Sequence, residues 1–154
     1  MSNWKSYEES TLFIDPLTII IGTNSSGKSN ALDALIFLSR IAGGAGVVQS
    51  INGDISMKAL RGGIDWVCRK NYNDFSIEVV LEYENNDYEY SIKVEVEDAK
   101  AFISEEKLTQ LTPKSNRLFY TTIRDRKLLN IPTYFSTGRQ GKGQNFDLTR
   151  STSI

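Results

Sequence analysis

Residues 22 to 29 read Gly-Thr-Asn-Ser-Ser-Gly-Lys-Ser. They follow the apolar run Leu17-Thr18-Ile19-Ile20-Ile21 and precede a stretch whose apolar residues recur at helical spacing. This order constrains the fold more than any other feature of the chain. A short run apolar on both faces reads as a buried strand, and the glycines after it read as a tight loop leading into a helix. Gly22 and Gly27 permit backbone angles and close approaches that a Cβ would block, so successive N–H groups can point inward and form an anion cradle. In such a loop Lys28 reaches the β- and γ-phosphates as a point charge and Ser29 offers its hydroxyl to Mg²⁺. The helix beginning near Lys28 aims its positive end at the same group. The expected ligand is therefore a nucleoside triphosphate with Mg²⁺.

The helix is expected over residues 28–41. Ala31, Ala34, Leu35 and Leu38 form its apolar stripe, and Leu32, Ile36 and Ile41 widen it. Gly43 and Gly44 stop it. Asp33, close to the positive end of the helix dipole, reads as a solvated structural residue rather than a catalytic carboxylate. A loop over 42–55 and a short helix around Ser56 to Leu60 come next.

The periodicity then changes from helical to alternating. Phe75, Ile77, Val79, Leu81 and Tyr83 share one face. A turn at Asn85-Asn86-Asp87 leads into Tyr88, Tyr90, Ile92, Val94 and Val96, the second arm of a hairpin. Another turn at Glu97 to Lys100 precedes a strand at about Ala101 to Leu108, and Leu118 to Arg124 and Leu128 to Phe135 read as two more strands. The expected β-meander thus covers about 75–135, and a Gly-rich polar loop follows at 136–144.

With 154 residues, 40% hydrophobic and 24% charged, the chain can bury one core. A net charge of −1 supplies no global basic field of the kind that marks nucleic-acid binding. Cys68 is the sole cysteine and there is no histidine, so no zinc site can be assembled. The start Met1-Ser2-Asn3-Trp4-Lys5 has no apolar leader core, and no run approaches the length of a membrane span. A soluble cytoplasmic protein is expected, with no membrane partner.

Trp4-Lys5-Ser6-Tyr7, followed by the run from Pro16 through Gly22-Thr23-Asn24-Ser25-Ser26-Gly27-Lys28-Ser29-Asn30 to Leu35, resembles the N-terminal segment of the SMC/RecF/OLD group of ABC-type ATPases. In bacterial genomes these often appear as AAA family ATPases. Asn24 and Asn30 match the group's loop pattern, and Ile103-Ser104-Glu105-Glu106-Lys107-Leu108 is similar to a strand end of its first lobe. The resemblance implies an α/β, partly α+β-like, P-loop NTPase first lobe occupying 1–154 as a partial ATPase domain, with the second lobe absent. It implies ATP contacts from Gly22, Asn24, Ser25, Ser26, Gly27, Lys28, Ser29 and Asn30, with Lys5 as a further contact. Mg²⁺ would be held at Ser29.

Trp4 and Tyr7 flank Lys5 and read first as core and second as neighbours of the nucleotide. Gln140 and Gln144 stand nearest the family's metal-contacting Gln, and a solvated loop is the stronger reading of both. Arg61 reads with the other dispersed cations as part of a solvated face.

By the same resemblance, the complete protein hydrolyses ATP as a head-to-tail homodimer coupled to DNA or to an effector nuclease or toxin, in bacterial defence. This chain alone is expected to be inactive, lacking the Asp-Glu strand end and the late histidine. SMC/RecF-like DNA repair or genome maintenance, and a nucleotide-sensing module without hydrolysis, are the alternatives.

Overall fold

A computed structural model describes residues 1–111, together with the backbone of four later strands. The helices described lie in the N-terminal half. Helix α1 spans Lys28–Ala42 and α2 spans Val47–Asn52, and a single 3-10 turn follows at Gly63–Trp66. Strands β1 (Asp74–Tyr83), β2 (Asn86–Glu97) and β3 (Lys100–Gln110) then form a meander. It continues through the backbone of β4 (Asn116–Tyr120), β5 (Thr122–Ile123), β6 (Leu128–Thr133) and β7 (Gln144–Thr149). The sheet order is β1-β2-β3-β4-β6-β5, with β7 paired to β6, and every pairing among the described residues is antiparallel.

Alternation builds this sheet. Phe75 and Ile77 of β1, Ile92 and Val94 of β2, and Ile103 of β3 meet in register on one face and are buried. The β1–β2 connection is tighter than the sequence suggests. Glu84 (φ 49°) and Asn85 (φ 60°) form a two-residue left-handed turn, and Asn86 and Asp87 already belong to β2. Such a turn matches the strands' own twist, which decides the register. Asp98 (φ 51°) and Ala99 (φ 56°) repeat the device between β2 and β3. On β3, Ser104 is an extra residue between the pairs Lys93–Glu105 and Val94–Ile103, a bulge steadied by its hydroxyl donating to the Lys93 carbonyl at 3.3 Å.

Helix α1 covers one end of this face, rotated from the expected stripe. Phe37, absent from that stripe, is fully buried with Ala31, Ala34 and Ile41, while Leu32, Leu35 and Ile36 keep 37–49% of their surface exposed. The reason is aromatic. Trp4, Phe37 and Phe75 form a mutually contacting trio, with ring centroids 4.9–5.7 Å apart in tilted and edge-on orientations. Val47 and Ile51 of α2, Leu60, Ile64 and Val67 complete the core.

Three expectations are corrected. The segment Leu17 to Ile21 forms no strand: Leu17, Ile19 and Ile21 are 73–88% exposed, because no described strand runs beside it to take its backbone groups. The α2 helix lies inside the stretch expected as loop, where Val47 and Ile51 gain burial against the core. The short helix expected at Ser56 to Leu60 is instead a bend organised by Asp54. The Asp54 carboxylate accepts from the amides of Ser56 and Met57, the Ser56 hydroxyl and Gln49, which together hold it well below the usual carboxylate range.

Most of the expected loop 136–144, including Gln140, lies outside the described residues. Gln144 is the first residue of β7 rather than the last of a loop. No described helix is long and apolar enough to cross a membrane.

Candidate functional site

The glycine-bearing loop enters α1 through Gly27, whose φ of 92° places it in left-handed space just before the first helical residue. Ser25 is left-handed as well, at φ 67°. Alternating handedness of this kind turns successive amides toward one side. Gly27 carries no side chain to cap the helix, and the first turn of α1 holds no acidic residue. The Asn30 amide closes a tight first turn onto the Gly27 carbonyl at 2.7 Å, while the amides before it have no side-chain cap, and no acidic residue in the first turn offsets the positive end of the dipole. A Cβ on Gly27 would also stand 2.8 Å from the Tyr7 hydroxyl, so a larger residue there would have to displace Tyr7 as well as strain the backbone.

Lys28 turns back over the loop. Its ammonium donates to the Gly22 carbonyl at 2.6 Å, the Thr23 carbonyl at 2.5 Å and the Ser26 hydroxyl at 3.3 Å. Gly22, Asn24, Ser25 and Ser26 are exposed, while Gly27, Lys28, Ser29 and Asn30 are half-buried. The loop's own carbonyls thus hold a flexible cation beside uncapped amides. An incoming anion could take over that cation without moving the helix.

Asn30 is otherwise engaged. Its side-chain amide donates to the Ser6 hydroxyl at 2.8 Å and its carbonyl accepts the Trp4 indole N–H at 2.7 Å. Trp4 is wholly buried, which settles it as core.

Lys5 and Asp33 meet in an ion pair of 2.6 Å, with side-chain exposures of 5% and 6%. The solvated Asp33 of the sequence reading is corrected: its carboxylate is buried beneath the loop. Lys5 also donates to the Arg61 carbonyl at 2.7 Å.

Arg61 keeps 60% of its side chain exposed, in line with the solvated face expected, but makes contacts at the loop that the sequence reading did not foresee. Its guanidinium donates to the Ser29 carbonyl at 2.7 Å and lies 3.5 Å from Asp33. The signal was present in the two glycines after it. Gly62 (φ 78°) and Gly63 (φ 56°) make the sharp turn that returns Arg61 to the start of α1.

Chemically, the loop, Lys28 and the head of α1 offer hydrogen-bond donors and positive charge of the kind a phosphate chain takes. Among the described residues no group of three or more His, Cys, Asp or Glu side chains could hold a metal ion by itself. The loop's donors suit Mg²⁺ delivered with a triphosphate, since that ion takes few protein ligands.

The family described as "AAA domain, putative AbiEii toxin, Type IV TA system" matches residues 17–147. No curated protein and no solved structure matches the chain.

Proposed function

The chain belongs to this AAA-domain family of P-loop ATPases, and from that premise we propose that it binds Mg-ATP through Gly22 to Ser29, with Asn30 tying the loop's end to Ser6 and Trp4. One observation carries the reading: an eight-residue glycine loop opens into an uncapped, acid-free helix start with the Lys28 ammonium folded over it. Loop amides and the α1 dipole take the phosphate oxygens, Lys28 exchanges loop carbonyls for phosphate, and Ser29 contributes to Mg²⁺. The bound metal would neutralise charge on the transferred phosphoryl group.

Hydrolysis asks for more: a carboxylate on the metal and an oriented water. We assign these to a second lobe, which makes this chain the first lobe of an ABC-type ATPase of the SMC/RecF/OLD sort. The exposed Leu17, Ile19 and Ile21 support this reading, since a run apolar on both faces fits the interior of a parallel sheet. Head-to-tail pairing of two such proteins around ATP, and coupling to an effector nuclease or toxin in defence, complete the proposal. The toxin–antitoxin wording of the family favours this setting over DNA repair. A long coiled coil elsewhere in the protein would favour the SMC-like alternative, and ATP binding without turnover by the complete protein would favour a sensing module.

Lys28→Ala tests the core of the reading. Loss of a charge-assisted contact of about 1.5–3 kcal/mol predicts Mg-ATP affinity roughly ten- to 150-fold weaker by calorimetry. Unchanged affinity in a folded variant would remove Lys28, and the loop with it, from nucleotide binding.

A further inference from the structure

The contacts beneath the loop form a closed ring. Asp33 lies four residues after Ser29, one turn further along the same face of α1. It stands between two cations, Lys5 at 2.6 Å and Arg61 at 3.5 Å. Each cation also grips backbone: Lys5 holds the Arg61 carbonyl and Arg61 holds the Ser29 carbonyl, the latter inside the phosphate-binding motif itself. The ring therefore runs from Lys5 through Asp33 and Arg61 to Ser29 and back along α1.

Its neighbours fix the same turn. The Trp4 indole bonds the Asn30 carbonyl, Asn30 bonds Ser6, and the Tyr7 hydroxyl fills the space beside Gly27. The residues of the loop proper are exposed. The direction of the first amides of α1 is thus set from below, by residues 4–7 and Arg61.

We propose that Lys5 is a positioning residue for the phosphate site, acting through Asp33 to hold the first turn of α1 with its amides converging on the ligand. This rests on the nucleotide-binding reading above. Lys5 does not itself touch the nucleotide. Two of its three N–H donors are committed to Asp33 and the Arg61 carbonyl, and its ammonium lies 5.8 Å from the centroid of the buried Trp4 ring. Exchanging Asp33 for a phosphate would take its closer cation from a carboxylate that is nearly sealed from water, leaving it Arg61 at 3.5 Å.

A double-mutant cycle on Mg-ATP affinity separates acting through Asp33 from direct contact. Calorimetry on the full chain would compare wild type, Lys5→Met, Asp33→Asn and the double variant, with thermal melts confirming that each is folded. Each single change should weaken Mg-ATP by about tenfold and the double change by no more than the worse single, because both break one linkage.

Equal losses from Lys5→Met with and without Asp33 would overturn the proposal in favour of direct contact. Lowered melting temperatures with wild-type affinity would overturn it in favour of a purely structural pair. Should the neutral variants not fold, Asp33→Glu keeps the charge and displaces the carboxylate by one methylene. It should weaken binding several-fold, and unchanged affinity would equally refute the idea. Wild-type protein that binds no Mg-ATP would instead refute the nucleotide reading on which it stands.

Discussion

Replacing Phe37 by alanine tests how α1 meets the sheet. The ring is fully buried and touches two others, Trp4 at 5.7 Å and Phe75 at 5.5 Å between centroids. Losing its buried surface removes about 1.5–3 kcal/mol of transfer free energy. Each lost ring pair adds about 0.5–1.5 kcal/mol. With the residual cavity adding to these terms and partial relaxation reducing it, the total should lie near 3–5 kcal/mol, the usual range for Phe→Ala in a core. Domains of this kind hold about 5–15 kcal/mol altogether, so the variant should fold but melt early. With a urea slope of about 2 kcal/mol/M, the midpoint should fall by about 1.5–2.5 M while the slope stays constant. Leu35→Ala is the control, since Leu35 is 37% exposed on the neighbouring stripe. It should cost less than about 1.5 kcal/mol, having less contact to lose. If Leu35→Ala cost as much as Phe37→Ala, the helix would be rotated from the orientation described, and the aromatic trio would not be the centre of the core.

Ala99 holds a φ of 56° in the β2–β3 turn, where glycine carries no Cβ penalty. Ala99→Gly should stabilise by about 0.5–1 kcal/mol and raise the melting temperature by roughly 1–4 °C; a lower melting temperature would argue against the left-handed turn. Burial, with the Asp74 carboxylate as the smaller cause, pushes the Cys68 thiol up to about 11. At pH 8 its thiolate fraction should be about a hundredfold below that of the ordinary thiol, with labelling by a disulfide reagent slow in the native state and fast in denaturant. Native labelling at the unfolded rate would show that Cys68 is not sheltered.

The β1–β2–β3 meander was legible because alternation in Phe75 to Tyr83 and Tyr88 to Val96 is a local signal, set by which face each side chain takes. Turn positions were legible only to within a residue or so: Glu84 is an uncommon choice for left-handed backbone, and strand twist overrode its preference. The α2 helix was missed for a related reason. Its six residues are too few to announce a period, and tertiary burial of Val47 and Ile51 makes up what propensity lacks.

The phosphate loop and the start and stop of α1 were determined by the sequence alone, since each depends on residues adjacent in the chain: glycines that allow special angles, a lysine and serine at fixed offsets, and paired glycines after the last turn. What lies beneath that loop was decided by the tertiary structure. Lys5, Asp33 and Arg61 come from three separate segments; Asp33 and Arg61 read as solvated charges and Lys5 as a nucleotide contact, and nothing in the sequence joins the three. Only folding brings the three together at the head of α1. There the cost of leaving a charge unpaired out of water forces the buried Lys5 and Asp33 together, with the exposed Arg61 closing the ring from the solvent side, and that long-range electrostatic requirement leaves no periodic trace in the order of the amino acids.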